Sequence, residues 1–225
     1  VRRGSMALLF GGRFDTADNG TCLDGTPANQ GVCGLGDTWQ YDFVSKTWNQ
    51  LSPATSPPSR HNHSMAYDSH RDRFLLFGGI IDEVTDTECP TDYAQFSGGV
   101  CYFNDTWEYN PTTQSWTHIS TTTAPRVGGT QPRPPTDHRM IYHKGKRSVV
   151  VLTEQFGDND FLWTYDSTSE SWSAVSASGL TLAREQSTLI YDQNRQQLGH
   201  PTSHDPYVEY YCQVKGQPYL MTRRH

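Results

Sequence analysis

Asn104-Asp105-Thr106-Trp107-Glu108-Tyr109-Asn110, followed by Gln114-Ser115-Trp116, is the stretch on which the reading of the whole chain turns. Trp107 and Trp116 stand nine positions apart, and the same spacing separates Trp39 from Trp48 and Trp163 from Trp172. All six tryptophans therefore fall into three like pairs. A tyrosine follows two places after the first member of each pair (Tyr41, Tyr109, Tyr165), and then Asp42, Asn110 or Asp166. Self-similarity of this kind marks repeated supersecondary units that share one stacked core.

Working outward, each Trp/Tyr segment alternates in strand fashion, and the second Trp of each pair lies in a further strand. Upstream of Trp107, Arg73 to Gly79 (RFLLFGG) repeats Met6 to Gly12 (MALLFGG), and His63 to Asp68 (HSMAYD) supplies another strand ahead of a tight turn. The third unit has strands at residues 138–143, 147–153, 160–166 and 170–176, with Thr153-Glu154 in place of the glycine pair. A fourth opens at residues 187–198. Loops are expected over roughly residues 13–36 and 80–103, and the first unit is expected to lack its innermost strand.

Composition agrees with an all-β chain. Aromatic residues make up 12%, and the 19 Gly and 13 Pro suit many short strands joined by turns. A net charge of −6 with scattered Lys and Arg argues against a nucleic-acid surface. The apolar runs are too short to span a bilayer as a helix.

Cys22 and Cys33 are 11 apart, Cys89 and Cys101 are 12 apart, and each pair occupies the same place in its unit. The reading is two local disulfides, Cys22–Cys33 and Cys89–Cys101, in an extracellular or secretory-lumen setting. Zinc is the rival, but neither loop has the CxxC pair or the histidines of a four-ligand site. Cys212 is left over. Sequons at Asn19, Asn62 and Asn104 are candidate glycosylation sites in a secreted chain.

The polar-led HSMAYD strand, the apolar strand closing in Gly-Gly and the Tyr/Trp pair resemble kelch repeats, over roughly residues 6–198. The resemblance implies four-stranded antiparallel blades of a β-propeller. Residues 1–200 then form a partial propeller, with blades near 1–52, 60–120 and 133–176 and the start of another at 184–198. Residues 201–225 form a tail outside the repeat. A fragment of a six- or seven-bladed protein is preferred to an open arc or to two copies completing a ring.

In such blades the turns between strands one and two and between strands three and four share one face, and the longer loops share the other. Function is expected on the loop-rich face. Candidate binding residues there are Arg60, His61, His63, Arg133, His138, Arg184 and Glu185, at or just before each first strand. They form either a ring of donors for an anionic or carbohydrate ligand, or structural groups that bond the neighbouring blade's backbone.

The expected function is a binding module for a protein or glycan, without a cofactor. The alternative implied by the resemblance is a fragment of a secreted galactose-oxidase-like enzyme whose metal ligands lie elsewhere. Catalytic constellations are sparse. Glu154 and Asp158 match two positions of the iron motif of nitrile-specifier proteins, but Leu162 stands where histidine is required. Asp15, Asp18 and Asn19 sit before Gly20, yet the spacing misses the alternate oxygen ligands of a calcium loop.

Overall fold

In the computed structural model the described residues are 1–15, 32–82, 89–90, 94–125, 135–136, 138–153, 162–175, 190–192, 197–199, 210–214 and 217–221. The chain is all-β, built on three four-stranded antiparallel sheets. Blade 1 comprises β1 (Arg2–Arg3), β2 (Met6–Asp15), β3 (Val32–Asp42) and β4 (Thr47–Leu51). Blade 2 runs β5 (Ser64–Asp68), β6 (Arg73–Phe77), β10 (Thr106–Asn110) and β11 (Ser115–Ile119) from inner to outer edge. Its second and third strands are separated in sequence by β7 (Ile80–Asp82), β8 (Ala94–Ser97) and β9 (Val100–Phe103), which form a sheet of their own in the order β7-β9-β8. Blade 3 comprises β12 (Arg139–His143), β13 (Ser148–Leu152), β14 (Leu162–Asp166) and β15 (Ser171–Val175). β16 (Ile190–Asp192) pairs with β17 (Gln197–Gly199), and β18 (Tyr210–Val214) with β19 (Gln217–Met221).

Two expectations are corrected. The first unit does carry an innermost strand, a two-residue one, with Arg2 opposite Ala7 and Arg3 opposite Met6. Residues 80–103 are not simply a loop, since β7, β8 and β9 lie within them, and β2 and β3 continue pairing out to Asp15 and Val32. The backbone satisfies its own hydrogen bonds there by laddering beyond the blade edge. The tail holds the β18–β19 hairpin.

Blades 2 and 3 bury both faces of their second strands. Phe74 and Leu76 of β6 join Met6, Leu8 and Phe10 of blade 1 in one core cluster. Leu75 and Phe77, on the opposite face, join Val149 and Val151 of blade 3 in another. These four of the five β6 side chains are 0% exposed. Successive strand residues point to opposite faces, so a strand sandwiched between two blades reads as a continuous apolar run. Each such burial stabilises by about 2 kcal/mol.

The Trp/Tyr spacing is a register device. Tyr41, Tyr109 and Tyr165 lie directly opposite Trp48, Trp116 and Trp172 on the neighbouring strand. Their ring centroids are 5.0, 5.1 and 5.1 Å apart. Two of the second-pair tryptophans also reach the preceding blade. The Trp116 indole donates to Thr38 Oγ1 at 3.0 Å, and that of Trp172 to Thr106 Oγ1 at 2.8 Å. The Asp or Asn that closes each third strand caps the turn after it. Asp42, Asn110 and Asp166 each accept two backbone N–H groups through Oδ1, and Asp68 does the same at the end of β5.

Candidate functional site

Capped four-residue turns occupy one face: 43–46, 69–72, 111–114, 144–147 and 167–170. Each ends on a residue in the left-handed region: Lys46, Asp72, Gln114, Arg147 and Glu170. Ion pairs brace this face, with Arg71 bridging Asp68 and Glu108 and Arg3 bonded to Asp72. The extended β2/β3 ladder and the β7-β9-β8 sheet lie at the opposite ends of the strands. Of the candidate residues, Arg60, His61, His63 and His138 are described, and they lie on that face.

Arg60 is completely buried. Its guanidinium forks onto Asp105 at 2.5 and 2.8 Å, donates to the Gly78 and Pro58 carbonyls at 3.0 and 3.1 Å, and lies 3.8 Å from the centroid of the Phe103 ring. Its backbone ties blades 1 and 2 together: Gly12 N donates to Arg60 O at 2.9 Å, and Arg60 N to Leu35 O at 3.0 Å. Every face of this group is occupied. His138, 1% exposed, donates through Nε2 to the Phe77 carbonyl of blade 2 at 2.9 Å and packs edge-on against the Phe77 ring.

His61 and His63 lie differently. His61 pairs by backbone with Ile80, and its Nε2 lies 3.0 Å from Asp82 Oδ2. Asp82 also accepts from Arg13 at 2.9 Å, and Arg13 from its side donates to Asp15 at 2.7 Å. Arg13, Asp15, His61 and Asp82 thus make a charged patch where blades 1 and 2 meet. Sequence reasoning missed it as a patch, although Asp15 and Asp82 share the 67-residue offset of the glycine pairs.

His63 occupies the same repeat position as His138 and packs edge-on against Phe10, the counterpart of Phe77, at 5.7 Å between centroids. Its Nδ1 is buried without a partner. Burial, followed by the charge of Arg60 and the proximity of His138 and His61, pushes its pKa down to about 3, so the ring is neutral at ordinary pH.

The glycine pairs permit the close approach of this linker. Gly79 has φ +99°, and a Cβ there would stand 2.7 Å from the His61 carbonyl and 2.8 Å from the His63 Cβ. At Gly11, with φ +56°, a Cβ would meet the Arg60 carbonyl at 2.7 Å.

Between blades 2 and 3 on the same face lies a cleft of about 700 Å³. Asn104, His118, Thr121, Thr122 and Trp163 are among its lining residues. Cys89 and Cys101 form a disulfide inside the small cluster that includes Phe103, and so brace the sheet beneath Arg60. Cys33 is disulfide-bonded, and Cys22 lies outside the described residues. Arg133, Arg184, Glu185 and Asn19 also lie outside them, as do Glu154, Asp158 and Asp18. Asn62 is exposed, with φ 54°, and Asn104 is half-buried.

A family model described as the KLHDC2/KLHL20/DRC7 Kelch-repeats domain matches residues 1–197. Among solved structures, the one described as "Structure of YjhT" is similar at a TM-score of 0.50 and 15% sequence identity, over 78% of this chain and 51% of that one. At that identity the likeness carries the fold alone. The chain spans about half the length of that structure.

Proposed function

Because this chain belongs to the kelch-repeat family, we propose that it is a protein-binding module that engages its partner through the loop-rich face. The observation that carries this reading is the asymmetry between the two faces. Among the described residues, one carries short turns, the four-residue ones capped by the side chain that closes the strand before them, whereas the other holds the disulfide-braced β7-β9-β8 sheet and the patch of Arg13, Asp15, His61 and Asp82. Rigid scaffolds commonly place binding on such excursions. Among the predicted residues that are described, His61 and His63 are the contact candidates, because Arg60 and His138 donate inside the stack. Exposed Gln95 and Ser97 on β8 extend the surface.

A glycan ligand is favoured by one feature, the cleft between blades 2 and 3, where threonine hydroxyls and an amide line the same space as the Trp163 ring. The paired cysteines support an oxidising compartment. Under that reading exposed Asn62 is accessible to glycosylation, and a glycan on it would stand beside His63.

The test is capture of a partner on the immobilised chain, comparing two sets of variants. Changes on the loop-rich face (Gln95→Ala, His61→Ala, Asp82→Ala) should abolish capture, and changes in the opposite turns (Thr112→Ala, Thr168→Ala) should leave it intact. The reverse pattern refutes the assignment of the face. Capture competed by free oligosaccharide and lost on Trp163→Ala would select the glycan reading.

A further inference from the structure

The β7-β9-β8 sheet has two edges, and they are served differently. Along β7 an extended segment is already added. His61 N donates to the Ile80 carbonyl and Ile80 N to the His61 carbonyl, both at 2.8 Å. The linker ahead of β5 thus pairs antiparallel with the sheet at that point. β8 is the strand at the other edge, and among the described residues nothing pairs with its outer side. Its sequence, Ala94-Gln95-Phe96-Ser97, carries neither a charge nor a proline, the usual guards of an open edge.

The hairpin turn fixes which backbone groups face outward. Gly98 and Gly99, at φ +60° and +83°, form a two-residue turn between Ser97 and Val100, which stand opposite each other in the ladder. A turn of that kind closes on a hydrogen-bonded pair, and bonded and non-bonded pairs then alternate. Ser97 and Gln95 therefore bond to β9, whereas Phe96 and Ala94 turn their N–H and C=O away from it. The same alternation carried across β9 leaves Ile80 facing outward on β7, where His61 takes both of its bonds. Ala94 stands opposite Phe103 and packs on the cluster of Cys89, Cys101 and Phe103, while Gln95 and Ser97 lie exposed on the other face.

We infer that β8 is a strand-addition site for an extended peptide segment of a partner protein, with apolar residues at alternate positions. The segment runs antiparallel, as His61 does to Ile80, and exchanges main-chain hydrogen bonds with Ala94 and Phe96. Residues directly opposite in a ladder share a face, so its bonded residues extend the apolar side formed by Ala94, Cys101 and Phe103. Its other residues lie level with Gln95 and Ser97 and are polar. Two observations select a peptide over a second copy. The sheet already accepts one extended segment at its other edge. A strand of 4 residues is only about 13 Å long, too short to carry the roughly 1,000 Å² of a specific dimer interface. The inference rests on the protein-binding reading of the loop-rich face and supplies its mode.

The probe is the acetylated and amidated peptide Lys-Val-Thr-Val-Thr-Val-Lys, titrated into the whole chain and followed by amide exchange. In the free chain the Gln95 and Ser97 amides should exchange slowly and those of Ala94 and Phe96 fast. Saturating peptide should slow the Ala94 and Phe96 amides by about tenfold or more and leave the outer blade strands β4, β11 and β15 unchanged. N-methylation of the valines should abolish binding, whereas N-methylation of the threonines, whose N–H groups face away from β8, should spare it. Ala94→Pro, at the first residue of the strand, removes one outward N–H and should weaken binding about fivefold or more, while Ala94→Ser keeps it. The proposal is overturned if Ala94 and Phe96 stay fast, or if both methylated peptides behave alike. It is equally overturned if the two amides are already slow in a free chain that sediments as a dimer, which gives the edge to a second copy. Partner capture separates this inference from the reading beneath it. Capture lost on Gln95→Ala but kept on Ala94→Pro refutes the strand pairing alone, and capture kept on every loop-face variant refutes the face as well.

Discussion

Replacing Arg60 with alanine separates a structural role from a binding role for the most prominent of the candidate residues. The guanidinium is 0% exposed and so is the Asp105 side chain facing it. Removing the arginine leaves a buried carboxylate with only the Trp107 indole as donor, and empties the space against Phe103. Breaking a buried ion pair from one side costs about 3–5 kcal/mol. In a chain of this size each kcal/mol lowers Tm by about 2–4 °C, so Arg60→Ala should melt about 6–20 °C lower. Differential scanning calorimetry and near-ultraviolet circular dichroism would read the change. Arg60→Met combined with Asp105→Asn removes both charges, keeps an acceptor for Trp107, and should recover most of the loss. A Tm for Arg60→Ala within about 2 °C of the parent, together with lost partner capture, would refute the reasoning and return Arg60 to the ligand surface.

His63 makes stability pH-dependent. Its folded pKa, lowered to about 3 from 6.5 chiefly by burial, means that the unfolded chain takes up the proton first as pH falls. The stability it contributes is complete above pH 6.5 and drains away towards pH 3, so His63→Gln should flatten the Tm profile across that window. Gly79→Ala must fit a Cβ within 2.7 Å of a carbonyl at φ +99°, and should destabilise by about 2 kcal/mol or more in denaturant titration. Thr106→Val leaves the buried Trp172 indole without its acceptor and should cost about 1–3 kcal/mol. The effect should be much smaller in a Trp172→Phe background. Cys89→Ser with Cys101→Ser should speed amide exchange in β8 and β9 while sparing β13. Uniform acceleration over all three blades would contradict a local brace.

Much of the fold was legible because its signals are local or periodic. The nine-residue Trp spacing places Trp116 two residues along from the partner of Trp107, and Tyr109 opposite Trp116, on adjacent strands joined by a four-residue turn. That geometry closes within a dozen residues. The apolar runs at β6 and β13 likewise announce a strand buried on both faces. The site was less legible. Arg60 and His61 are consecutive, yet one is sealed against Asp105 and the other sits beside Asp82 at the rim. Their fates depend on partners 45 and 21 residues away, which a reading of the linker alone cannot supply. His63 and His138 share a repeat position and still differ, since only His138 reaches the carbonyl of the blade before it.

By itself the sequence determined the unit, its four strands, the caps of its turns and the pairing of its aromatic rings. Those follow from side-chain alternation and short turns, which act between neighbours in the chain. Tertiary structure alone decided which polar groups are spent inside the stack and which remain at the surface. It also showed that the ladders continue past the blade edge, and that Leu9 and Trp48 lie open where their counterparts Leu76 and Trp116 are covered. The physical reason is that burial and ion pairing belong to the interface between blades. Identical repeat residues therefore meet different surroundings according to what lies beside them.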